Sequence, residues 1–112
     1  MSRYDIAIIG MGCVFPKAND VDQYWRNIES GASFFEQMPD RLWHSRNYQS
    51  NDKKRTDKSY TMVGSFIDPV ENFPFLEFKL PPNTMKGSDP TQITTLEAVR
   101  QALRFKIGRA HV

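Results

Sequence analysis

A short apolar run near the start of the chain constrains the fold more than any other feature. Residues 6–9 read Ile-Ala-Ile-Ile, and Gly10 closes the run. A run this short, rich in β-branched residues and ended by glycine is typical of a β-strand buried on both faces. Because the backbone groups of such a strand need hydrogen-bonding neighbours, the run predicts further strands beside it.

The size and composition of the chain are those of an ordinary globular protein. It has 112 residues, of which 39% are apolar and 25% are charged. These fractions exclude collagen-like, coiled-coil and fully disordered chains. The length allows one domain at most, with a single modest core.

The charge pattern argues against a nucleic-acid partner. The formal net charge is +2, and the basic and acidic residues are scattered along the chain. The densest basic run, residues 53–55 with Lys58, alternates with Asp52 and Asp57. Nucleic-acid binding needs a sustained basic surface, so we interpret this run as a solvated loop.

The cysteine content excludes several kinds of site. Cys13 is the single cysteine, which rules out an intramolecular disulfide and a multi-cysteine zinc site. The chain shows neither a signal peptide nor an apolar stretch of membrane length. We therefore expect a cytoplasmic protein that has no membrane partner and no metal site.

A glycine-containing turn follows the apolar run. Residues 10–16 read G-M-G-C-V-F-P, and a strand followed by G-x-G is how a dinucleotide-binding fingerprint begins. The rest of the fingerprint is missing, because Phe15 occupies the third glycine position and Pro16 follows where a helix should already run. A small nucleotide-binding domain is therefore kept only as an alternative.

Two helices have clear start signals. Asp20 can cap the first, Gln23 has the capping-box spacing, and Gly31 can end it. Its predicted core face consists of Val21, Tyr24, Trp25 and Ile28.

The second helix is the more strongly predicted of the two. Asp89 caps it, Pro90 takes the first helical position and Gln92 completes the box. Its apolar face consists of Ile93, Leu96, Val99 and Leu103, flanked by Ala98 and Ala102. The small residues predict close packing against another element.

The segment between the helices is irregular. We predict a turn at residues 39–43, a polar loop at 52–58 and a short extended piece at 64–69. A dense apolar cluster then contains Phe73, Phe75, Leu76, Phe78 and Leu80. This cluster needs a surface to bury against, and an exposed one favours a standalone protein-interaction module as a second alternative.

The last six residues are not typical of protein sequence. Residues 107–112 read Ile-Gly-Arg-Ala-His-Val, and the back-translation ATC GGA AGA GCA CAC GTC resembles a common sequencing-library adapter. The adapter frame requires the preceding codon to end in AG, and Lys106 satisfies this. We expect these residues to be adapter translation, and Arg109 and His111 are assigned no function.

The ordered landmarks resemble one family. The D-I-A-I-I-G-M-G-C-V-F-P opening at residues 5–16, D-R-L-W at 40–43, G-S-F-I at 64–67 and D-P-T-Q at 89–92 are similar to a β-ketoacyl synthase domain of the modular polyketide synthase type. That family usually shows D-R-W, G-G-F and M-D-P-Q-Q at the last three places. The F-K-L-P-P-N sequence at 78–83 is closer to the ketosynthases of bacterial polyunsaturated fatty acid synthases.

The resemblance implies that residues 1–106 are the N-terminal portion of a truncated α/β, thiolase-like fold. It implies decarboxylative Claisen condensation of malonyl-type extender units carried on the phosphopantetheine of an acyl carrier protein, by a homodimeric enzyme. The family uses a cysteine nucleophile and two histidines that lie downstream of this segment. We therefore expect no catalytic, cofactor-binding or metal-binding residue here and no activity from the fragment alone. Cys13 is interpreted as a small buried thiol and His44 as a loop residue.

Overall fold

The computed structural model describes residues 3–104. The elements in order are α1 (Val21–Glu29), β1 (Glu36–Gln37), α2 (Ser45–Tyr48), β2 (Val63–Gly64), α3 (Pro82–Met85) and α4 (Pro90–Arg104). The predicted adapter segment, with Arg109 and His111, lies outside the described residues.

The apolar run at residues 6–9 differs from its prediction. It belongs to no strand, and Ile6 and Ile8 are 94% and 76% exposed. The expectation of a strand buried on both faces is therefore wrong for this structure. The physical reason is that no strand among residues 3–104 lies beside the run to pair with its backbone.

Helix α1 begins and ends as predicted. The Asp20 carboxylate accepts the Gln23 backbone N–H at 2.8 Å, while the Gln23 side chain accepts the N–H of Asn19 at 2.9 Å. The capping box thus reaches one residue further back than the usual pattern. Gly31 follows the end of the helix with φ of +65°, a conformation that glycine adopts without a steric penalty.

The predicted core face of α1 is only partly covered. Tyr24, Trp25 and Ile28 all remain substantially exposed, Trp25 at 58%. The prediction that this face is buried in a core is wrong for the described residues. The periodicity correctly marks an apolar face, but residues 3–104 supply too little surface to cover it.

Helix α4 begins at the predicted residue, but the described hydrogen bonds do not include the capping box predicted for Gln92. Asp89 accepts the N–H of Thr91 at 2.8 Å, and Pro90 is the first helical residue. Along the predicted apolar face, burial falls toward the end, and Leu103 is 74% exposed. The one residue of α4 that is buried is the charged Glu97.

A small sheet and an aromatic cluster lie between α1 and α4 along the chain. Strands β1 and β2 are antiparallel, with Glu36 opposite Gly64, so the predicted extended piece is partly strand. Phe73 is buried, and its ring lies 5.1 Å from those of both Phe75 and Phe78. The solvated loop predicted at residues 52–58 is confirmed for residues 52–57, which are all exposed, whereas Lys58 is half-buried and donates to the Asn47 carbonyl oxygen. Within the part of the chain that the structure describes, the buried hydrophobic core is small and consists of Val14, Ala18, Met62, Phe73 and Met85.

Candidate functional site: the Cys13 loop and helix α4

A tight turn reverses the chain directly after Cys13. Phe15 and Ala18 exchange two backbone hydrogen bonds of 2.8 and 3.0 Å, with Pro16 and Lys17 at the corner. Lys17 has φ of +57°, and proline followed by a residue with positive φ is the pattern of a type II turn. The turn occupies the place where a dinucleotide-binding loop would open a helix.

Gly12 lies directly against the backbone of α4. A Cβ at position 12 would lie 2.0 Å from the carbonyl oxygen of Ala98 and 2.9 Å from the backbone nitrogen of Ala102. The close packing predicted from the two alanines is therefore confirmed. The second glycine of G-x-G serves contact with a helix, so this geometry gives the nucleotide-binding alternative no support.

Cys13 is held by its backbone. Its N–H donates to Oε1 of Gln101 at 3.1 Å. Its side chain is only partly buried, so the interpretation of Cys13 as a buried thiol is wrong in degree, because residues 3–104 supply too little surface to cover it. Burial and, secondarily, the negative charge of Asp20 raise the pKa of the Cys13 thiol. A nucleophilic cysteine needs the opposite environment, one that stabilises the thiolate, so these surroundings favour an unreactive thiol.

A polar cluster on α4 supports the same loop. Gln101 donates from Nε2 to the Asn19 carbonyl oxygen at 2.7 Å and to Glu97 Oε1 at 3.3 Å. Glu97 is 9% exposed and accepts two hydrogen bonds of 2.7 Å from Arg100. The Arg100 guanidinium holds the pKa of Glu97 below its usual range. We call Glu97, Arg100 and Gln101 the α4 polar cluster.

Sequence reasoning missed this cluster. Glu97 and Gln101 are four residues apart and so share a helix face, but a charged residue four positions from a glutamine is ordinary on solvated helices. His44, by contrast, lies where it was expected: it is exposed, and its carbonyl oxygen accepts the Asn47 N–H at 3.0 Å. No described hydrogen bond joins His44 to Cys13.

A shallow cleft lies beside the turn, whose Pro16 forms part of its wall. It has a volume of about 290 Å³, and its apolar lining includes Phe15, Tyr24, Ile28 and Phe34.

Within residues 3–104, no group of three histidine, cysteine, aspartate or glutamate side chains could hold a metal ion. None of the helices described is both long and apolar enough to span a bilayer.

The sequence matches a defined family and several of its members. Residues 3–106 match the family described as "Beta-ketoacyl synthase, N-terminal domain". Polyketide synthase PksN of Bacillus subtilis is 39% identical over 87 residues, which cover 78% of this chain and 2% of that protein. Methylphloroacetophenone synthase of Cladonia uncialis is 35% identical over 99 residues, which cover 88% of this chain and 4% of that protein. The chain thus spans a few per cent of the length of these relatives.

A solved structure confirms the predicted fold class. The oxazolomycin ketosynthase domain of Streptomyces albus is similar with a TM-score of 0.78 at 26% identity, over 88% of this chain and 17% of that chain. The described residues are therefore part of a thiolase-like ketosynthase fold, and neither alternative function is supported. The chain belongs to the β-ketoacyl synthase family, within the N-terminal domain of that family.

Proposed function

We propose that this chain is the N-terminal portion of a condensing enzyme of polyketide biosynthesis. The enzyme would elongate acyl chains by decarboxylative Claisen condensation of malonyl-type units. The family match over residues 3–106, together with the structural similarity to a ketosynthase domain, carries the proposal. The closer resemblance of residues 78–83 to polyunsaturated fatty acid synthases stays a prediction.

In this proposal the described residues are scaffold and the reacting groups lie elsewhere in the enzyme. The reaction needs a reactive cysteine to carry the acyl chain and two histidines to assist decarboxylation and stabilise the developing oxyanion. Cys13 has a raised pKa, and His44 is an exposed loop residue, which supports assigning neither of them a catalytic role. We propose no catalytic, cofactor-binding or metal-binding residue within the chain.

The proposed partners follow from the same chemistry. The extender unit would arrive as a thioester on the phosphopantetheine of an acyl carrier protein, and the whole enzyme would act in the cytoplasm as a homodimer. The phosphopantetheine belongs to the carrier protein, so no step with it is assigned to residues 3–104.

Acyl transfer to the isolated chain tests the assignment of Cys13. The chain is incubated with a radiolabelled acyl thioester, and the retained label is measured for the wild type and for Cys13→Ala. We expect no stable label on either protein. Retained label that disappears in Cys13→Ala would make Cys13 a nucleophile and contradict the proposal.

We also propose that residues 1–106 are native and that residues 107–112 are adapter translation. The family match stops at residue 106, which supports this division. Amplification of the source DNA across codons 100–112 tests it. We expect an open frame that diverges after codon 106 and continues to a cysteine in a small-residue turn and to two later histidines. A genomic sequence that encodes residues 107–112 and then stops would contradict both parts of the proposal.

A further inference from the structure

We propose that Glu97 and Gln101 form a positioning pair: Glu97 fixes the orientation of the Gln101 amide, and this amide holds both ends of the Cys13–Asn19 loop on α4. The inference does not depend on the proposed enzymatic activity. It rests on the three hydrogen-bond partners of the Gln101 side chain, each of which can act only as a donor or only as an acceptor.

The first step concerns the three partners of Gln101. The Cys13 N–H can only donate, whereas the Asn19 carbonyl and the Glu97 carboxylate can only accept. A glutamine side chain has one acceptor oxygen and an NH₂ group with two donors. Only one orientation of the amide satisfies all three partners. The reversed amide would set NH₂ against the Cys13 N–H and its oxygen against two acceptors.

The second step concerns what holds Glu97 in place. Arg100 donates to both carboxylate oxygens, each at 2.7 Å, and the Arg100 side chain is itself only 26% exposed. A two-point charged contact of this kind fixes the plane of the carboxylate as well as its position. Glu97 therefore presents a fixed acceptor to the NH₂ group of Gln101. This acceptor favours one orientation of the Gln101 amide even when the loop is not in contact with it.

The third step concerns the loop. Cys13 and Asn19 lie on either side of the Phe15–Ala18 turn, so the Gln101 amide bridges the base of the turn. Asn19 also donates to Gln23 in the first turn of α1. One amide thus joins α4 to the loop and, through Asn19, to the start of α1. Without it the Cys13 N–H and the Asn19 carbonyl lose their described partners.

The single thiol of the chain reports on this contact. The full chain is alkylated with iodoacetamide, and the rate at Cys13 is divided by the rate of the same protein in concentrated urea. Each rate is divided by the thiolate fraction obtained from that variant's own pH profile, so that changes in the thiol pKa do not enter. Gln101→Ala should raise the relative rate roughly tenfold, since the loop loses both of its hydrogen bonds to the Gln101 amide. Gln92→Ala, on the exposed side of the same helix, is the control and should leave it unchanged.

A reciprocal exchange separates positioning from general stabilisation. Gln101→Glu puts a carboxylate against Glu97 and the Asn19 carbonyl, and should raise the rate more than Gln101→Ala. Adding Glu97→Gln supplies an amide donor to the new carboxylate, and should lower the rate again. The proposal would be overturned if the change in the logarithm of the rate in the double variant equalled the sum of the changes in the two single variants. It would also be overturned if Cys13 were alkylated at the same rate in Gln101→Ala as in Gln92→Ala. The same conclusion would follow if the wild-type protein reacted as fast in buffer as in urea.

Discussion

Gly12 lies against Ala98 so closely that a Cβ at position 12 would be 2.0 Å from the Ala98 carbonyl oxygen. Real Cβ atoms do not approach a backbone oxygen to this distance, so any other residue must separate the loop from α4. The opposed atom is backbone within a helix, which cannot move aside as a flexible side chain can. The contact therefore makes glycine a requirement of this packing.

Gly12→Ala should open the loop. We expect the free energy of local opening, measured from the protection of Cys13 against alkylation, to fall by about 1–3 kcal/mol, the usual cost of overpacking. Gly87→Ala is the matched control, because a Cβ at position 87 would meet no atom within 4 Å. Equal protection in both variants would show that the loop does not pack on α4 as described.

Local signals in the sequence predicted the helix starts, while burial could not be predicted from them. Asp20 and Asp89 each cap a helix through atoms within three residues, so a short window contains the whole interaction. The burial of residues 6–9 depends instead on neighbouring strands, which the described residues do not supply. The apolar face of α1 around Trp25 shows the same limit. Its period can be recognised in the sequence, but the surface that would cover it cannot.

The candidate site was predictable only in part, for the same reason. The alanines of α4 predicted a close contact, yet nothing in the sequence identified Gly12 as its partner. Gln101 was missed entirely, because its contacts with Cys13 and Asn19 bridge 88 and 82 positions of sequence. The fold class was predicted from the family resemblance. An ordered series of motifs along the whole chain constrains the long-range structure, whereas a single motif constrains only its own neighbourhood.

Asp20→Asn should lower the pKa of the Cys13 thiol. The asparagine side chain can still cap α1, but the negative charge that disfavours the thiolate is removed. The alkylation rate of Cys13 as a function of pH should therefore shift to lower pH, with the helical signal in circular dichroism unchanged. Asp22→Asn, two residues after the cap in the first turn of α1, is the charge control. A shift of the same size in both variants would contradict a specific effect of Asp20.

Lys17→Gly should stabilise the turn relative to Lys17→Ala by about 1 kcal/mol. Both substitutions remove the exposed ion pair of Lys17 with Asp68 at 3.9 Å, a contact of little energy. Only glycine also relieves the left-handed conformation at φ of +57°. The protection of Cys13 against alkylation measures the difference. Equal protection in the two variants would argue against a positive φ at this position.

Acid should weaken the α4 polar cluster through Glu97. The pKa of Glu97 in the folded chain lies below its unfolded value, chiefly because of its hydrogen bonds from Arg100. Its contribution is therefore fully present above the unfolded pKa of about 4.3, and is lost as the pH falls through the lower folded value. Hydrogen exchange of the Cys13 amide is measured from neutral pH to acid and divided by the exchange rate of an unfolded amide at the same pH. The resulting protection should decline in this window. Glu97→Gln should start from weaker protection and show a flatter profile; a profile parallel to that of the wild type would contradict the assignment.

Ile8→Glu should raise the soluble yield of the isolated chain severalfold. Ile8 lies in an apolar run that pairs with no strand among residues 3–104 and whose side chains are exposed, and such segments promote association between copies. The wild-type chain is accordingly expected to be aggregation-prone and partly molten. Gln37→Glu adds the same charge at an exposed polar position, and should leave the yield nearly unchanged. Soluble yield and light scattering at matched expression measure the effect. An equal gain from both variants would assign it to charge alone, and a sharp cooperative melt of the monomeric wild type would show that this run needs no partner strand.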